Sequence, residues 1–286
     1  FDNELPDLFH VWDSCDPLPN PGMMCEWYPY KVEVPDWIQL EEGQKPKICL
    51  SYNSNHKYLN HIIQTFGRWT DCPSLIALYN QNKRNDESIY MEIGTNFGQC
   101  IFDFLFSTNA TIVAFENDET NLYQMTSTLM TLPDDVRNRV ALFYDIDYAF
   151  SSASAINKYN IDIDNVNELS TLSLVQKFLN QASEGEGNQM MEVTLTNLFE
   201  NSILNPESPT FDIALMKIDV PEMGCDIVES VNSVLALTNS IVKIFEVEDE
   251  KKTKCGITEW TDRLSTLGSY NFQKFHAHTL ARPVEG

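Results

Sequence analysis

"ESIYMEIGTNFGQCIFDFLF", residues 87–106, is the stretch on which the fold turns. Its first half, SIYMEI, is apolar along nearly its whole length, the pattern of a strand covered on both faces. A small polar turn with Gly94 and Gly98 follows, and a helical pattern begins at once, over 97–108. Glycines there permit left-handed backbone and close approach of a ligand, and the new helix offers unpaired N–H groups. The stretch alone fits two readings, a tight strand-to-helix turn or a cofactor loop, so the decision rests on its surroundings.

Downstream, TIVAFE (111–116) is a second apolar strand, Asp118–Leu132 a helix ended by Pro133, and 139–144 a third strand. FDIALMKIDV (211–220) is a buried strand; a helix over about 226–237, the strand IVKIFEVE, the amphipathic helix ITEWTDRLSTLG and a final strand YNFQKFHAHTL follow. Upstream, KICLSY is a short strand, and YLNHIIQTFG and SLIALYNQN have helical spacing, the first stopped by Gly67. Strands alternating with helices predict an α/β fold: a doubly wound, mostly parallel sheet of a seven-stranded, Rossmann-like type with helices on both faces. Residues 1–45, with Pro6, Pro17, Pro19, Pro21, Pro29 and Pro35 among Trp12, Trp27, Tyr28, Tyr30 and Trp37, read as an irregular N-terminal extension. Such an arm is expected to wrap the 46–286 domain, and could dock a protein partner. Within that domain, 151–190 is polar and contains ASEGEGNQ, the mark of an insertion.

The chain has 286 residues, a net charge of −23 and a pI near 4.4. With 19 basic against 42 acidic residues it lacks the clustered cations of a nucleic-acid surface, and an anionic membrane would repel it. No apolar run reaches the roughly 20 residues of a membrane span, so the chain is expected to be soluble. It starts FDNELPDL, without Met, which fits either a removed leader, with a secretory (Golgi or ER lumen) or organellar destination, or a truncated sequence. Seven cysteines, an odd number, leave at least one unpaired; a bridge from Cys15 to Cys25, or from Cys49 to Cys72, is expected. No Cys/His group has zinc spacing, and no metal site is expected. One glycosylation sequon stands at Asn109-Ala110-Thr111, between a helix and a strand.

Ligands of open α/β sheets bind beyond the carboxyl ends of the strands. Each predicted strand end here carries polar residues: GTNFG after the first, Glu116 after the second, Asp145 and Asp147 after the third, Lys217 and Asp219 at the fourth, Glu246 at the fifth. A carboxylate at Glu116 suits a ribose diol, whereas GTNFG lacks the glycine spacing of a pyrophosphate loop, which disfavours an NAD-dependent dehydrogenase. The layout therefore predicts a nucleoside cofactor without a pyrophosphate.

"MEIGTNFG", "VAFENDETN", "VTLTNLFE" and "MKIDVPEMG", in that order and spacing, resemble the FkbM-type family of class I S-adenosylmethionine-dependent methyltransferases, over roughly residues 46–250. "KICLSYNSNHKYLNHIIQTFGRW" is similar to the front segment of its animal and protist members. The resemblance implies S-adenosylmethionine as cofactor and an O-methyltransferase, often acting on a sugar hydroxyl of a glycan or glycoconjugate. It implies a cofactor loop of Glu92, Gly94, Thr95, Asn96 and Gly98, with Gly94, Asn96 and Gly98 along the methionine part, Glu116 on the ribose hydroxyls, and Asp145 or Asp147 near the adenine. Lys217 and Asp219 would face the transferred methyl group. Asp219 and Glu246 are the residues able to take the acceptor's proton, a step that a hydroxyl of high pKa requires. The chain departs from the family pattern at Glu92 (for Asp), Thr95 (for Ala), Asn117 (for Pro) and Pro221 (for Glu), with the following glycine displaced to Gly224. Those departures motivate a second reading, a catalytically inactive subunit with a structural or assembly role.

Overall fold

A computed structural model describes residues 10–12, 16–17, 23–40, 43–51, 57–85, 88–144, 213–219, 244–246, 262, 265, 270–275 and 278–283. In chain order the elements are β1 (His10–Val11), β2 (Glu26–Pro29), β3 (Lys47–Leu50), α1 (Lys57–Phe66), α2 (Cys72–Asn82), β4 (Ile89–Ile93), α3 (Gln99–Ser107), β5 (Thr111–Phe115), α4 (Glu119–Leu129), α5 (Asp134–Arg137), β6 (Val140–Tyr144), β7 (Ile213–Ile218), β8 (Ile244–Glu246), β9 (Tyr270–Phe275) and β10 (His278–Pro283). Eight strands form one sheet in the order β1-β6-β5-β4-β7-β8-β10-β9. The run β6-β5-β4-β7-β8 is parallel throughout; β10 is antiparallel to both neighbours, and β1 joins the far edge antiparallel to β6. The chain steps outward from β4 through β5 to β6, then returns to β4's other side as β7. This is the doubly wound α/β fold, with its switch point between β4 and β7.

Central strands of such a sheet are covered on both faces, and every residue of β4 and β7 is buried. The crossovers β4-α3-β5 and β5-α4-β6 step the same way, so right-handed connections set α3 and α4 on one face. Over these helices lies the N-terminal segment. β2 and β3 form a separate two-stranded sheet, not part of the main one. It is tied to α4 by Cys49 N–H donating to Thr128 Oγ1 (2.9 Å) and Ser51 N–H to Gln124 Oε1 (2.6 Å). The single Tyr30 hydroxyl lies within hydrogen-bond distance of both the Gln99 carbonyl and Asp103 Oδ1, and Trp12 is buried beside β6, where its backbone N–H donates to the Leu142 carbonyl. Helix α3 is thus sandwiched, which explains why all of Gln99–Phe106 is buried. Its one charge, Asp103, sits 2.9 Å from Arg68 and accepts from Tyr30. Burial raises the Asp103 pKa, opposed by Arg68 and Tyr30.

Three expectations are corrected. YNFQKFHAHTL is not one strand but the two antiparallel strands β9 and β10. The sequence does not mark the reversal, because His276-Ala277 carries none of the usual turn residues. Phe66, on the expected apolar face of α1, is exposed at the helix's last position. Among the described residues the disulfides are Cys25–Cys49 and Cys72–Cys100, instead of Cys15–Cys25 or Cys49–Cys72. Strand pairing decides the first: Trp27 opposes Cys49, which carries Cys25 to Cys49. Helix packing decides the second, since α2 and α3 are neighbours and Cys72 opens one while Cys100 lies in the first turn of the other. The Cys25–Cys49 loop spans 24 residues, so the chain-entropy contribution is about 3 kcal/mol. A Cys25→Ala/Cys49→Ala variant is expected to lose about that much in urea denaturation, with the arm detached from α4.

Of the remaining sequence-level segments, the 151–190 insertion, VTLTNLFE, the helix over 226–237 and most of ITEWTDRLSTLG lie outside the described residues. Among the described residues no helix is long and apolar enough to cross a membrane.

Candidate functional site

Register builds the site. Ile93 lies opposite Phe115 on one side and Ile218 on the other. The residues that follow these three, Gly94, Glu116 and Asp219, therefore emerge together on the carboxyl edge at the switch point. The ladder extends one residue further: Gly94 N–H bonds Phe115 O (2.9 Å), Glu116 N–H bonds Phe143 O (3.1 Å) and Asp219 N–H bonds Ile93 O (2.9 Å). Phe245 pairs with Ile218, so Glu246 falls level with Asp219 one strand further along.

From Gly94 the chain turns by three left-handed residues, Gly94 (φ 79°), Asn96 (φ 54°) and Gly98 (φ 83°). Asn tolerates that region because its short side chain can bond locally, and Asn96 Oδ1 accepts from Phe97 N–H at 2.8 Å. Gly98 is required on two counts. Its φ is unfavourable for any side chain, and an added Cβ would stand 2.8 Å from Met125 Cγ and 3.2 Å from Phe102 Cε2. Gly98→Ala is expected to cost about 1–3 kcal/mol, seen as a lower urea midpoint at unchanged slope.

The turn is locked to β5 through Glu116. Oε2 accepts from Asn96 N–H at 2.6 Å; Oε1 accepts from Asn117 and Asp118 N–H, each at 3.0 Å. Burial raises this carboxyl's pKa, and those three backbone donors and Asn121 pull against it. A carboxylate offers about four acceptor positions; the three backbone donors and the Asn121 side chain account for them, and Asn121 is the one that a ligand hydroxyl would replace. Asp118 in turn caps α4, accepting from Asn121 N–H at 2.9 Å.

Behind the loop lies a buried charged chain. Glu92 on β4 and Lys217 on β7 are register partners, and their side chains meet at 2.7 Å. Successive residues of a strand face alternate ways, so Tyr90 shares Glu92's face and Asp219 shares Lys217's. Tyr90 Oη donates to Glu92 Oε2 at 3.0 Å, and Lys217 Nζ lies 3.2 Å from Asp219 Oδ2. Burial and the neighbouring Glu92 hold Tyr90 well above the usual phenol range, which keeps it a donor; its ring stacks on Phe104 of α3, centroids 3.7 Å apart. Burial also raises the Glu92 pKa, with Lys217 opposing it. Of the four groups only Asp219 reaches solvent appreciably, at 25% side-chain exposure.

The residues expected in the cofactor loop thus take different places. Gly94, Asn96, Gly98 and Glu116 form the turn and its anchor. Thr95 is buried, its hydroxyl 3.7 Å from Met125 Sδ, which leaves its backbone as the part at the turn. Glu92 is fully buried behind the turn, committed to Lys217 and Tyr90. Asp145, Asp147 and Pro221–Gly224 lie outside the described residues. Tyr90 was not singled out from the sequence, although its place two residues before a strand acid was the available signal. Among the described residues no group of three His, Cys, Asp or Glu could hold a metal ion.

The arrangement combines a left-handed turn at a helix N-terminus, a buried carboxylate holding that turn, and a half-exposed carboxylate across from it with a cation behind. Such a crevice suits a small ligand bearing hydroxyl donors and a positive charge.

No protein-family model matches the chain, and no curated protein does. Among solved structures it is similar to precorrin-6y C5,15-methyltransferase from Geobacter metallireducens GS-15, at 10% identity and TM-score 0.36, over 73% of this chain and 86% of that one. It is similar to a human methyltransferase 10 domain containing protein (10% identity, TM-score 0.37, 78% of this chain and 92% of that one). It is also similar to the antibiotic-resistance methyltransferase Kmr, at 9% identity and TM-score 0.33, over 76% of this chain and 94% of that one.

Proposed function

We propose that the chain is an S-adenosylmethionine-dependent O-methyltransferase acting on a sugar hydroxyl of a glycan or glycoconjugate. One observation carries the reading: at the switch point, Glu116 holds the Gly94–Gly98 turn through Asn96 while Asp219 leaves the adjacent strand end on the other side. The donor set fits the cofactor. At Glu116 a ribose hydroxyl would replace the Asn121 side chain as the fourth donor, the glycine-bearing turn admits close backbone approach, and Asp219 and Glu116 bring negative charge to a cation. When bound, S-adenosylmethionine supplies an electrophilic methyl group on a sulfonium.

The chain's own residues do the rest. Glu116 orients the ribose; Gly94, Asn96 and Gly98 line the methionine side; Asp145 and Asp147, just past β6, are assigned to the adenine side. Asp219 receives the proton of the acceptor hydroxyl as it is alkylated, and Lys217 fixes the direction of that carboxylate from behind. Glu246, level with Asp219, is the second acid within the same edge. Glu92 and Tyr90 hold Lys217 in turn.

Calorimetry with S-adenosylhomocysteine tests the reading. Micromolar binding is expected, and no heat at any accessible concentration would end it. Glu116→Gln replaces an acceptor oxygen by an NH2 that faces backbone donors, and weakens the ribose contact. Its dissociation constant is expected to rise about 10- to 100-fold, the cost of losing a charged hydrogen bond.

A further inference from the structure

We propose that Asn109 is a modification site carrying an asparagine-linked oligosaccharide, on the pole of the sheet opposite the crevice. The sequon Asn109-Ala110-Thr111 occupies the connection from α3 to β5. Its two flanking residues are fixed and buried. Thr108 donates to Phe104 O at 2.8 Å and accepts from Ala110 N–H at 3.2 Å, and Arg139 clamps the Thr108 carbonyl at 2.6 Å. Asn109, between buried Thr108 and buried Ala110, is exposed. The backbone that presents it is rigid, and the asparagine alone looks outward. A buried asparagine, or one inside a strand, would leave the three-residue pattern without meaning.

Position makes a glycan there compatible with the site. Thr111 opens β5 and Phe115 ends it, so Asn109 lies at the strand's amino end and Glu116 at its carboxyl end. Five residues at about 3.3 Å each separate the two poles, roughly 16 Å. A chain of sugars at Asn109 leaves the crevice open.

The cysteines supply independent support. All four described cysteines, Cys25, Cys49, Cys72 and Cys100, are in disulfides. Disulfides form and persist in oxidising compartments such as the ER lumen, where asparagine-linked oligosaccharides are added. The covalent step joins the Asn109 amide nitrogen to the anomeric carbon of an oligosaccharide donated as its lipid-linked pyrophosphate. The anomeric C–O bond breaks, the pyrophosphate leaves with the electron pair, and the amide proton passes to a base of the transferring enzyme.

The test expresses the full chain behind a secretion signal in eukaryotic cells and reads secreted and retained protein alike by peptide mass and by peptide-N-glycosidase. The expected result is a mobility shift on digestion, with Asn109 converted to Asp. Asn109→Gln and Thr111→Val abolish the shift, and Thr111→Ser keeps it. Disulfide-intact protein whose Asn109 peptide is unmodified would overturn the proposal. S-adenosylhomocysteine binding by Asn109→Gln is expected to be unchanged, so this result and the methyltransferase reading stand or fall separately.

Discussion

Lys217→Met is expected to destabilise the fold by about 3–5 kcal/mol at neutral pH, the cost of leaving a buried charge without its partner. The ammonium lies 2.7 Å from Glu92 and 3.2 Å from Asp219, and its own side chain is 5% exposed. Without it the fully buried Glu92 loses its cation, and the partly exposed Asp219 stands close by. The pH dependence identifies the cause. Burial already lifts the Glu92 pKa above its ordinary 4.5, and Lys217 is the largest influence opposing that rise. Removing the lysine lifts it further. A carboxyl whose folded pKa exceeds its unfolded value contributes stability that is full below the unfolded pKa and lost as pH rises through the folded one. The gap between variant and parent should therefore be wide at pH 7.5 and narrow toward pH 4.5, as read by thermal melts of both proteins. If the single variant does not fold, the Glu92→Gln/Lys217→Met pair should restore much of the loss, because it removes the orphaned charge along with its partner. A gap that ignores pH, or a double variant no better than the single one, would contradict this account.

Asp219→Asn is expected to lower the rate of methyl transfer by about 10²- to 10⁴-fold, the range for loss of a positioned base. The substitution keeps size and shape and retains one oxygen toward Lys217. Binding of S-adenosylhomocysteine should stay within about threefold of the parent, since Asp219 acts on the acceptor's proton in this scheme. Release of S-adenosylhomocysteine over a panel of sugar acceptors measures the rate, and calorimetry measures the binding. Equal losses in both would make Asp219 a cofactor ligand instead. If Glu246 shares the task, a residual rate will survive in the single variant and vanish in Asp219→Asn/Glu246→Gln.

The parts of the site that the sequence disclosed share one property: each follows directly after an apolar strand. Gly94, Glu116 and Asp219 could be placed at strand ends without knowledge of which strands are neighbours. The Glu92–Lys217 bridge could not, because the two residues are 125 positions apart and meet only once β7 lies beside β4. The disulfides were hidden for the same reason, since cysteine spacing does not reveal that β2 pairs with β3 or that α2 lies on α3. The β9–β10 hairpin escaped because its two strands are joined by residues with no turn chemistry. The layer that covers Asp103 of α3, Tyr30 and Arg68 of the N-terminal half, was not legible either, since those residues lie 73 and 35 positions away.

The central claim is that the turn from Gly94 to Gly98 and the carboxylate of Glu116 together hold a nucleoside cofactor. A crystal structure of the chain grown with saturating S-adenosylhomocysteine tests it most directly. The account predicts ribose hydroxyls within hydrogen-bond distance of Glu116, the sulfur beside the Gly94–Gly98 turn, and Asp219 facing the position of the absent methyl group. Ligand bound elsewhere on the chain, or a ribose that makes no contact with Glu116, would contradict it.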